Sequence, residues 1–180
     1  MAGQDYFKSP DYYIMDELLT EEHLLIRKTI RDFVKKDISP IIEEVCQSCI
    51  FPKDLLPKLA SLGCFGPFIP SQYGGAELDQ ISYGLIMQEL ERGDSGIRST
   101  ASVQSSLVMY PIFNYGTDEQ KDKYLARLAS GELMGCFGLT EPNHGSNPSG
   151  MESRFIDMGD YFLLNGSKLW ISNSPFAIDF

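Results

Sequence analysis

The stretch Gly135 to Pro148, GCFGLTEPNHGSNP, separates two parts of the chain that have different patterns. It begins as an apolar segment typical of a short strand and then turns abruptly polar. Its three glycines would let a flat or charged ligand approach the backbone closely, and its two prolines stiffen the loop. Thr140 and Ser146 offer hydroxyls without adding a fixed charge. Composition alone favours a solvated surface loop, so the flanking sequence has to decide whether the loop binds a ligand.

The sequence before this stretch has the period of amphipathic helices. Thr20 is followed by two acids and then by apolar residues at helical spacing, and Thr117 with Gln120 forms a capping-box pattern. These signals predict helices over 20–38, from after 52 to 63, over 79–92, over 95–114 and over 117–131. Prolines and glycines interrupt the segment 64–75, which we expect to be a loop packed against the core.

After residue 133 the apolar period becomes two, which is typical of strands. Phe155–Asp157 and Tyr161–Leu164 flank a turn, and the Asn-Gly pair at 165–166 predicts a second hairpin that leads into Lys168–Ser172. The predicted fold class is mainly α plus β: an N-terminal helical bundle followed by the start of an antiparallel β domain. About four strands would leave an unpaired sheet edge, so we expect the β domain to be incomplete.

Charge and hydropathy argue against two classes of partner. The net charge is -10 and no stretch concentrates lysine or arginine, so nucleic-acid binding is not expected. No apolar run approaches the ~18 residues of a membrane span, and Met1 to Pro10 lacks the layout of a signal peptide. We therefore expect a soluble, intracellular protein.

Cys46 and Cys49 form a Cys-x-x-Cys pair, a spacing found in zinc and redox sites. Such a site would need a second pair or nearby histidines, and His23 and His144 are the only histidines. The sequence favours the alternative, in which the two cysteines lie one helical turn apart as small apolar residues. No metal site is predicted.

The motifs in combination resemble the acyl-CoA dehydrogenase family. A helical region is followed by a strand ending in Leu-Thr-Glu-Pro at 139–142, by Gly145 and Ser146, and about two strands later by Trp-Ile-Ser at 170–172. The resemblance covers nearly all of the chain after residue 16, but only part of that three-domain family. It implies an all-α domain at 1–133, the start of the middle, flavin-binding β-barrel domain at 134–180, and a C-terminal helical domain that is missing here.

The resemblance implies FAD as the cofactor. Its implied binding residues are Phe137, Gly138, Leu139, Thr140, Gly145, Ser146, Trp170, Ile171 and Ser172. Thr140 would hydrogen-bond the pyrimidine side of the flavin, Trp170 would shield the ring, and the Ser172 hydroxyl would approach N5. Without the resemblance, Trp170 is equally explained as a core or hairpin aromatic and Ser172 as an ordinary strand residue.

Two residues depart from the family pattern. Asn147 stands where the family usually has aspartate, which drops a charge, and Ser172 stands where it has threonine, which loses a methyl. We expect binding to survive both.

The resemblance also implies a substrate class. The run at 96–109 is most similar to glutaryl-CoA dehydrogenases, and it implies that Arg98, Ser99 and Ser146 contact the substrate. The Arg98 fork would receive the terminal carboxylate of the acyl chain, and Ser146 would reach the thioester or pantetheine arm. The alternative is that Arg98 forms an exposed i, i+4 pair with Asp94.

The implied reaction is α,β-dehydrogenation of an acyl-CoA, with glutaryl-CoA favoured and decarboxylation to crotonyl-CoA. Electrons would leave to an electron-transferring flavoprotein. The family's base is a glutamate of the C-terminal domain, so we expect no catalytic residue within these 180 residues and no activity of this chain alone. The family also implies a homotetramer, in a bacterial cytoplasm or, in a eukaryote, the mitochondrial matrix. A second hypothesis is a truncated, non-catalytic module for flavin or acyl-CoA binding or for assembly.

Overall fold

Seven α-helices are the main regular elements of the part of the chain that the structure describes. The structure, a computed structural model, describes residues 11–177. Its helices are α1 (Glu21–Phe33), α2 (Ile42–Ser48), α3 (Leu55–Ser61), α4 (Gln80–Gly93), α5 (Ser95–Ser102), α6 (Tyr110–Tyr115) and α7 (Asp118–Ala129), with 3₁₀ turns at Met15–Leu18, Ser71–Tyr73 and Pro148–Gly150. The expectation about a signal peptide at 1–10, and the last three residues of the expected β domain, lie outside the described residues.

Side-chain caps fix where the longer helices begin. Thr20 caps α1 through a capping box that it shares with His23, and Thr117 caps α7 through one that it shares with Gln120. Asp79 caps α4 by accepting a hydrogen bond from the backbone N–H three residues on. Each cap satisfies an N–H that would otherwise have no partner at the helix start. The helix starts predicted at 20, 79 and 117 are confirmed.

Two of the predicted helices contain a change of winding. Residues Val34–Ile38 continue α1 as π-helix, and Val103–Met109 join α5 to α6 as π-helix. The predicted helices over 20–38 and 95–114 are therefore continuous but not uniformly α-helical. The sequence analysis did not predict α2, which lies between the first π segment and α3.

The core lies between these helices. Helix α1 packs against α4, and α4 packs against α5. The largest fully buried apolar side chains are Phe65, Ile30, Ile38, Leu59, Ile69, Ile86, Leu90, Ile97, Met109, Leu125 and Leu128. Phe65 and Ile69 come from the segment 64–75, which confirms that this loop packs against the core. No helix in residues 11–177 has the length and apolar character needed to cross a membrane.

A buried ion cluster joins α1 to α4. The Glu89 carboxylate is fully buried and accepts hydrogen bonds from Nε (2.9 Å) and Nη2 (2.7 Å) of Arg31. Nε of Arg92 lies 3.3 Å from the same carboxylate. Two guanidinium groups therefore compensate a charge that would be costly to bury alone.

The β part is a short antiparallel hairpin. Strands β1 (Arg154–Asp157) and β2 (Phe162–Asn165) pair with Phe155 opposite Leu164, and both strands are exposed on both faces. This confirms the first predicted hairpin and the fold class, a helical domain followed by the opening of a β domain.

Two predicted strands are absent from the described residues. The segments before Thr140 and at 168–172 have no strand ladder, and one backbone hydrogen bond, Leu169 N–H to Thr140 C=O (2.9 Å), connects them. Trp170 and Asn173 have φ of +61° and +68°, which bends the chain away before a second pair of bonds can form. The prediction of strands here is wrong because the apolar pattern does not specify such a bend.

Candidate functional site

Arg98 lies on α5 and is half-buried. Its Nε donates to the Glu91 carboxylate, and its Nη1 lies 3.4 Å from Ser102 Oγ. The alternative pairing with Asp94 is wrong, because the Asp94 carboxylate instead accepts the Ile97 N–H (2.9 Å) as the cap of α5.

Glu91 orients the guanidinium of Arg98. The Ser95 hydroxyl donates to Glu91 at 2.6 Å, and this bond, followed by the one from Arg98, lowers the pKa of the carboxyl. The partner is therefore ionised at neutral pH. Glu91 could not be predicted from the sequence, because it lies on the preceding helix, seven residues away, and only the bend between α4 and α5 at Asp94 brings the two side chains together. Ser99, the other implied substrate residue on this helix, is half-buried beside Arg98.

Gln104 fixes the beginning of the segment that leads to the expected flavin residues. Its side chain is fully buried, Nε2 donates to the carbonyls of Leu128 and Leu133 (2.9 Å each), and Oε1 accepts the Gly135 N–H (2.9 Å). Only glycine fits at position 135, since a Cβ there would collide with Val108. Gln104 was not among the predicted site residues, although a glutamine among small and apolar helical residues is a signal for a buried hydrogen-bond role.

Asn173 connects the same segment to α5. It is buried, and its Nδ2 donates to the carbonyls of Thr100 (3.3 Å) and Gly135 (3.2 Å). Asn173 directly follows Ser172, so this contact brings the 170–172 stretch, the 135–140 stretch and α5 together. Asn173 was not among the predicted site residues either.

Glu141 and Lys168 form a buried clamp between three loops. The Glu141 carboxylate accepts the N–H groups of Glu152 (2.6 Å) and Ser153 (3.0 Å) and a bond from Lys168 Nζ (2.8 Å). Lys168 Nζ also donates to the Leu139 carbonyl (3.1 Å). Lys168 first, and then these other donors, lower the pKa of Glu141 to about 2. The carboxylate is therefore ionised and engaged at neutral pH.

The expected flavin residues before the clamp present apolar groups to solvent. Phe137 is 42% exposed and Leu139 is exposed beside it, while Gly138 lies against the Lys168 side chain. Thr140 is half-buried, and its carbonyl accepts the Leu169 N–H. An apolar strip next to backbone and hydroxyl groups can receive a flat, partly polar ring.

Trp170 directly follows Leu169, whose N–H donates to the Thr140 carbonyl, and the Trp170 side chain is 84% exposed. Ile171 is half-buried and Ser172 is exposed. The core-aromatic explanation of Trp170 is therefore wrong. A bulky residue at φ +61° costs about 1–3 kcal/mol, which indicates that neighbouring contacts hold the backbone in place.

Gly145 and Ser146 lie on an exposed bend. They directly follow the turn at 142–143, which a bridge between Glu141 and His144 closes with N–H to carbonyl distances of 3.1 Å in both directions. No atom lies within 4 Å of where a Gly145 Cβ would be, so the bend leaves open space. The contacts of residues 11–177 do not join Ser146 to Arg98 or Trp170, so its implied role stays a prediction.

The described residues contain no group of three or more His, Cys, Asp or Glu side chains that could hold a metal ion. Cys46 and Cys49 are free thiols. Both are exposed at the end of α2, not packed as apolar residues, and Cys49 lies just beyond the helix at φ +56°.

The comparison with known families agrees with this arrangement. The family "Acyl-CoA dehydrogenase, N-terminal domain" matches residues 20–132, more than half of the chain. The chain belongs to the acyl-CoA dehydrogenase family. Its match ends close to the point where Gln104 and Gly135 connect the helices to the next segment.

Individual relatives of this acyl-CoA dehydrogenase chain extend the match into the β part. A glutaryl-CoA dehydrogenase from Mycobacterium smegmatis, solved in complex with FADH2, is 44% identical with a TM-score of 0.89, over 92% of this chain and 42% of that one. The probable acyl-CoA dehydrogenase YngJ of Bacillus subtilis is 42% identical over 88% of this chain and 42% of its own length. The caffeyl-CoA reductase-Etf complex subunit CarC of Acetobacterium woodii is 41% identical over 89% and 42%. The chain thus spans less than half the length of these relatives.

Proposed function

We propose that this chain is the N-terminal part of an FAD-dependent acyl-CoA dehydrogenase that acts on glutaryl-CoA. Arg98 is the observation that carries the proposal: it is a half-buried cation on a helix of small residues, oriented by Glu91. Asn173 joins that helix to the stretches expected to line the flavin. A cation at this position suits an acyl chain that ends in a carboxylate, since guanidinium binds carboxylate bidentately. The similarity to a glutaryl-CoA dehydrogenase supports the same substrate.

The residues present fit the cofactor. A flavin needs an apolar wall for its ring and polar groups at its rim; Phe137, Leu139 and Trp170 expose apolar surface, and Thr140 supplies a hydroxyl in the same stretch as the first two. In the proposal Thr140 binds the pyrimidine edge, Trp170 shields the ring and the Ser172 hydroxyl approaches N5. When bound, FAD supplies the acceptor for the hydride that leaves the β-carbon. The relative crystallised with FADH2 supports this assignment.

The proposed site divides the remaining work between binding and proton removal. Arg98 and Ser99 would hold the acyl terminus, and Ser146 would contact the thioester or pantetheine arm. The α proton, which the thioester acidifies, needs a base. Glu141 does not suit this role, because its pKa of about 2 and its bond to Lys168 make it a very weak base at neutral pH. We therefore place the base, and the later loss of the terminal carboxylate as CO2, in an assembly larger than these 180 residues.

The domain boundary and the partners belong to the same proposal. We place a helical domain at 1–133 and a flavin-binding domain from 134 on, which the end of the family match at residue 132 supports. An electron-transferring flavoprotein would accept the electrons, and similarity to an Etf complex subunit supports that partner. A homotetramer completes the proposal, in a bacterial cytoplasm or, in a eukaryote, the mitochondrial matrix, since relatives come from bacteria and from mitochondria.

The test compares the 180-residue chain with the product of the longest reading frame that contains it. Each protein is mixed with FAD and titrated with glutaryl-CoA while the visible absorption spectrum is recorded. We expect the longer product to retain flavin that bleaches on titration, and the 180-residue chain to bind FAD weakly and to show no turnover. Turnover by the short chain would contradict placing the base elsewhere. Retained flavin that bleaches in neither protein would favour a non-catalytic binding module.

The same titration tests the substrate when it is repeated with Arg98→Met and with butyryl-CoA. Loss of charge-assisted hydrogen bonds to a carboxylate should lower kcat/KM for glutaryl-CoA about 100-fold and leave butyryl-CoA within about threefold. Arg127→Met is the matched control, since Arg127 forms an exposed pair with Glu132. Equal losses on both substrates would overturn the carboxylate-binding role of Arg98.

A further inference from the structure

Asn173 occupies the junction between the helical part and the expected flavin stretches. Its Nδ2 donates to two backbone carbonyls, Thr100 on α5 and Gly135 at the end of the helical core, at 3.3 and 3.2 Å. Its own backbone sits just after Ser172. Asn173 therefore connects its own segment to two others that are far apart in sequence.

The residue type suits this position in two ways. The backbone is left-handed, at φ +68°, and asparagine adopts that region more readily than other residues with a Cβ except aspartate. The side chain must donate, because both partners are carbonyl oxygens. Glycine satisfies only the first requirement, and aspartate would satisfy the backbone but place an acceptor against two acceptors.

Stability alone does not explain an asparagine here. Its Oδ1 is buried without a hydrogen-bond partner among the described residues. A buried acceptor without a donor lowers stability, and such groups are uncommon in folded proteins. The backbone of Trp170, three residues earlier, is also in a costly conformation. Asn173 on one side and the Leu169–Thr140 bond on the other fix both ends of this strained turn.

We propose that Asn173 is a positioning residue that sets the place of Trp170 relative to Arg98. The argument rests on the proposed function, because it takes Trp170 as the residue against the flavin ring and Arg98 as the residue against the acyl terminus. Thr100 lies two residues after Arg98, and Gly135 lies two residues before Phe137. Through these two carbonyls Asn173 holds the ring-facing stretches at a fixed distance from the carboxylate-binding helix.

Trp170 makes the proposal measurable, since it is the only tryptophan in the sequence. Time-resolved fluorescence anisotropy of the full 180-residue chain reports the local freedom of this side chain directly. The variants are Asn173→Gly, which keeps the left-handed backbone and removes the amide, and Asn173→Asp, which replaces the donor. Asn165→Asp, at the exposed end of β2, is the charge-matched control.

We expect faster local motion of Trp170 in both Asn173 variants and unchanged motion in Asn165→Asp, while helical circular dichroism stays as in the parent. The Kd for FAD, from flavin fluorescence, should rise about 10- to 30-fold, as expected when two buried hydrogen bonds of about 1 kcal/mol each are lost. If Asn173→Asp is too unstable to purify, Asn173→Gly decides alone.

Parent-like Trp170 anisotropy in Asn173→Gly would overturn the proposal, even if its melting temperature falls, because that result describes a purely structural residue. If the longer product of the reading frame retains no flavin, the proposed function fails, while the anisotropy of the 180-residue chain still decides the role of Asn173. The two failures are therefore distinguishable.

Discussion

Glu141 shows how one side chain can organise a loop that has little regular structure. Two backbone N–H groups and Lys168 converge on its carboxylate, which is almost completely buried. These donors come from residues 11 to 27 positions away. The clamp thereby holds the Leu139–Glu141 backbone against the segments at 152–153 and 168. The negative charge of Glu141 is important for the clamp, because a neutral side chain cannot compensate the positive charge of Lys168.

The pH dependence of stability should reveal this charge. The folded pKa of Glu141 is lowered from 4.5 to about 2, so its contribution is fully present above pH ~4.5 and is lost as the pH falls towards 2. In Glu141→Gln that contribution is absent. We expect thermal denaturation, followed by circular dichroism from pH 2 to 7, to give a lower melting temperature for the variant at pH 7 and a difference that shrinks below pH 4.5.

Glu132→Gln provides the control for that series, because Glu132 forms an exposed pair with Arg127. Exposed pairs contribute at most about 1 kcal/mol, so its profile should follow the parent. A Glu141→Gln profile parallel to the parent from pH 7 to 2 would show that the clamp does not stabilise the fold.

At the residue scale, contacts between residues close in sequence could be predicted, and contacts between distant residues could not. Thr117 and Gln120 cap α7 through contacts three residues apart, and such contacts can be predicted from a short stretch of sequence. Glu91, Lys168 and Asn173 act through partners that only the tertiary fold brings near. These residue types are common, and their positions in the sequence do not indicate which partners they contact. The roles of Thr140 and Trp170 came from the family resemblance and stay predictions.

At the scale of elements, the π segment Val103–Met109 carries Gln104 into the core. This segment lies within one continuous helical run from Ser95 to Tyr115. Gln104 projects from it to the end of α7 and to the first residue of the site stretch, through Leu128, Leu133 and Gly135. π-helical turns often occur at functional sites, and here the turn serves the junction between two parts of the molecule.

Removing the Gln104 amide should destabilise this junction. Gln104→Leu has a similar volume but leaves the Leu133 carbonyl and the Gly135 N–H buried without this partner, so we expect a loss of about 2–4 kcal/mol in the free energy of unfolding. Urea denaturation followed by circular dichroism measures it. Gln88→Leu, at an exposed position of α4, should change stability by no more than about 0.5 kcal/mol. Equal effects of the two variants would argue against a special role for Gln104.

The elements that were predicted correctly are those that depend on contacts between residues close in sequence. Helix starts follow from caps, and the β1–β2 hairpin follows from alternation on both sides of a short turn. A strand that pairs with a distant segment needs its partner in place, and the described segments before Thr140 and at 168–172 share only one backbone–backbone hydrogen bond. π winding depends on packing against other helices, so the sequence period indicated a helix but not its type.

At the scale of the whole molecule, the helices bury their apolar side chains in a common core, whereas the β hairpin leaves its apolar side chains exposed. Phe155, Phe162 and Leu164 lie on one face of the hairpin, and the two phenylalanine rings meet edge to face at 5.3 Å. All three are at least 65% exposed. The two-stranded hairpin also leaves the outer edge of each strand without a partner among the described residues. Exposed apolar strands with free edges favour intermolecular contact.

The 180-residue chain should therefore self-associate through the hairpin. We expect sedimentation velocity to show larger species as the concentration rises through the micromolar range, and Leu164→Lys to reduce them, since an edge lysine opposes strand addition. Ile81→Lys is the control, because Ile81 is also an exposed apolar residue but lies on α4. If both variants reduce association equally, general charge and not the hairpin is responsible. If the parent chain stays monomeric over the whole concentration range, the prediction that the hairpin mediates self-association is wrong.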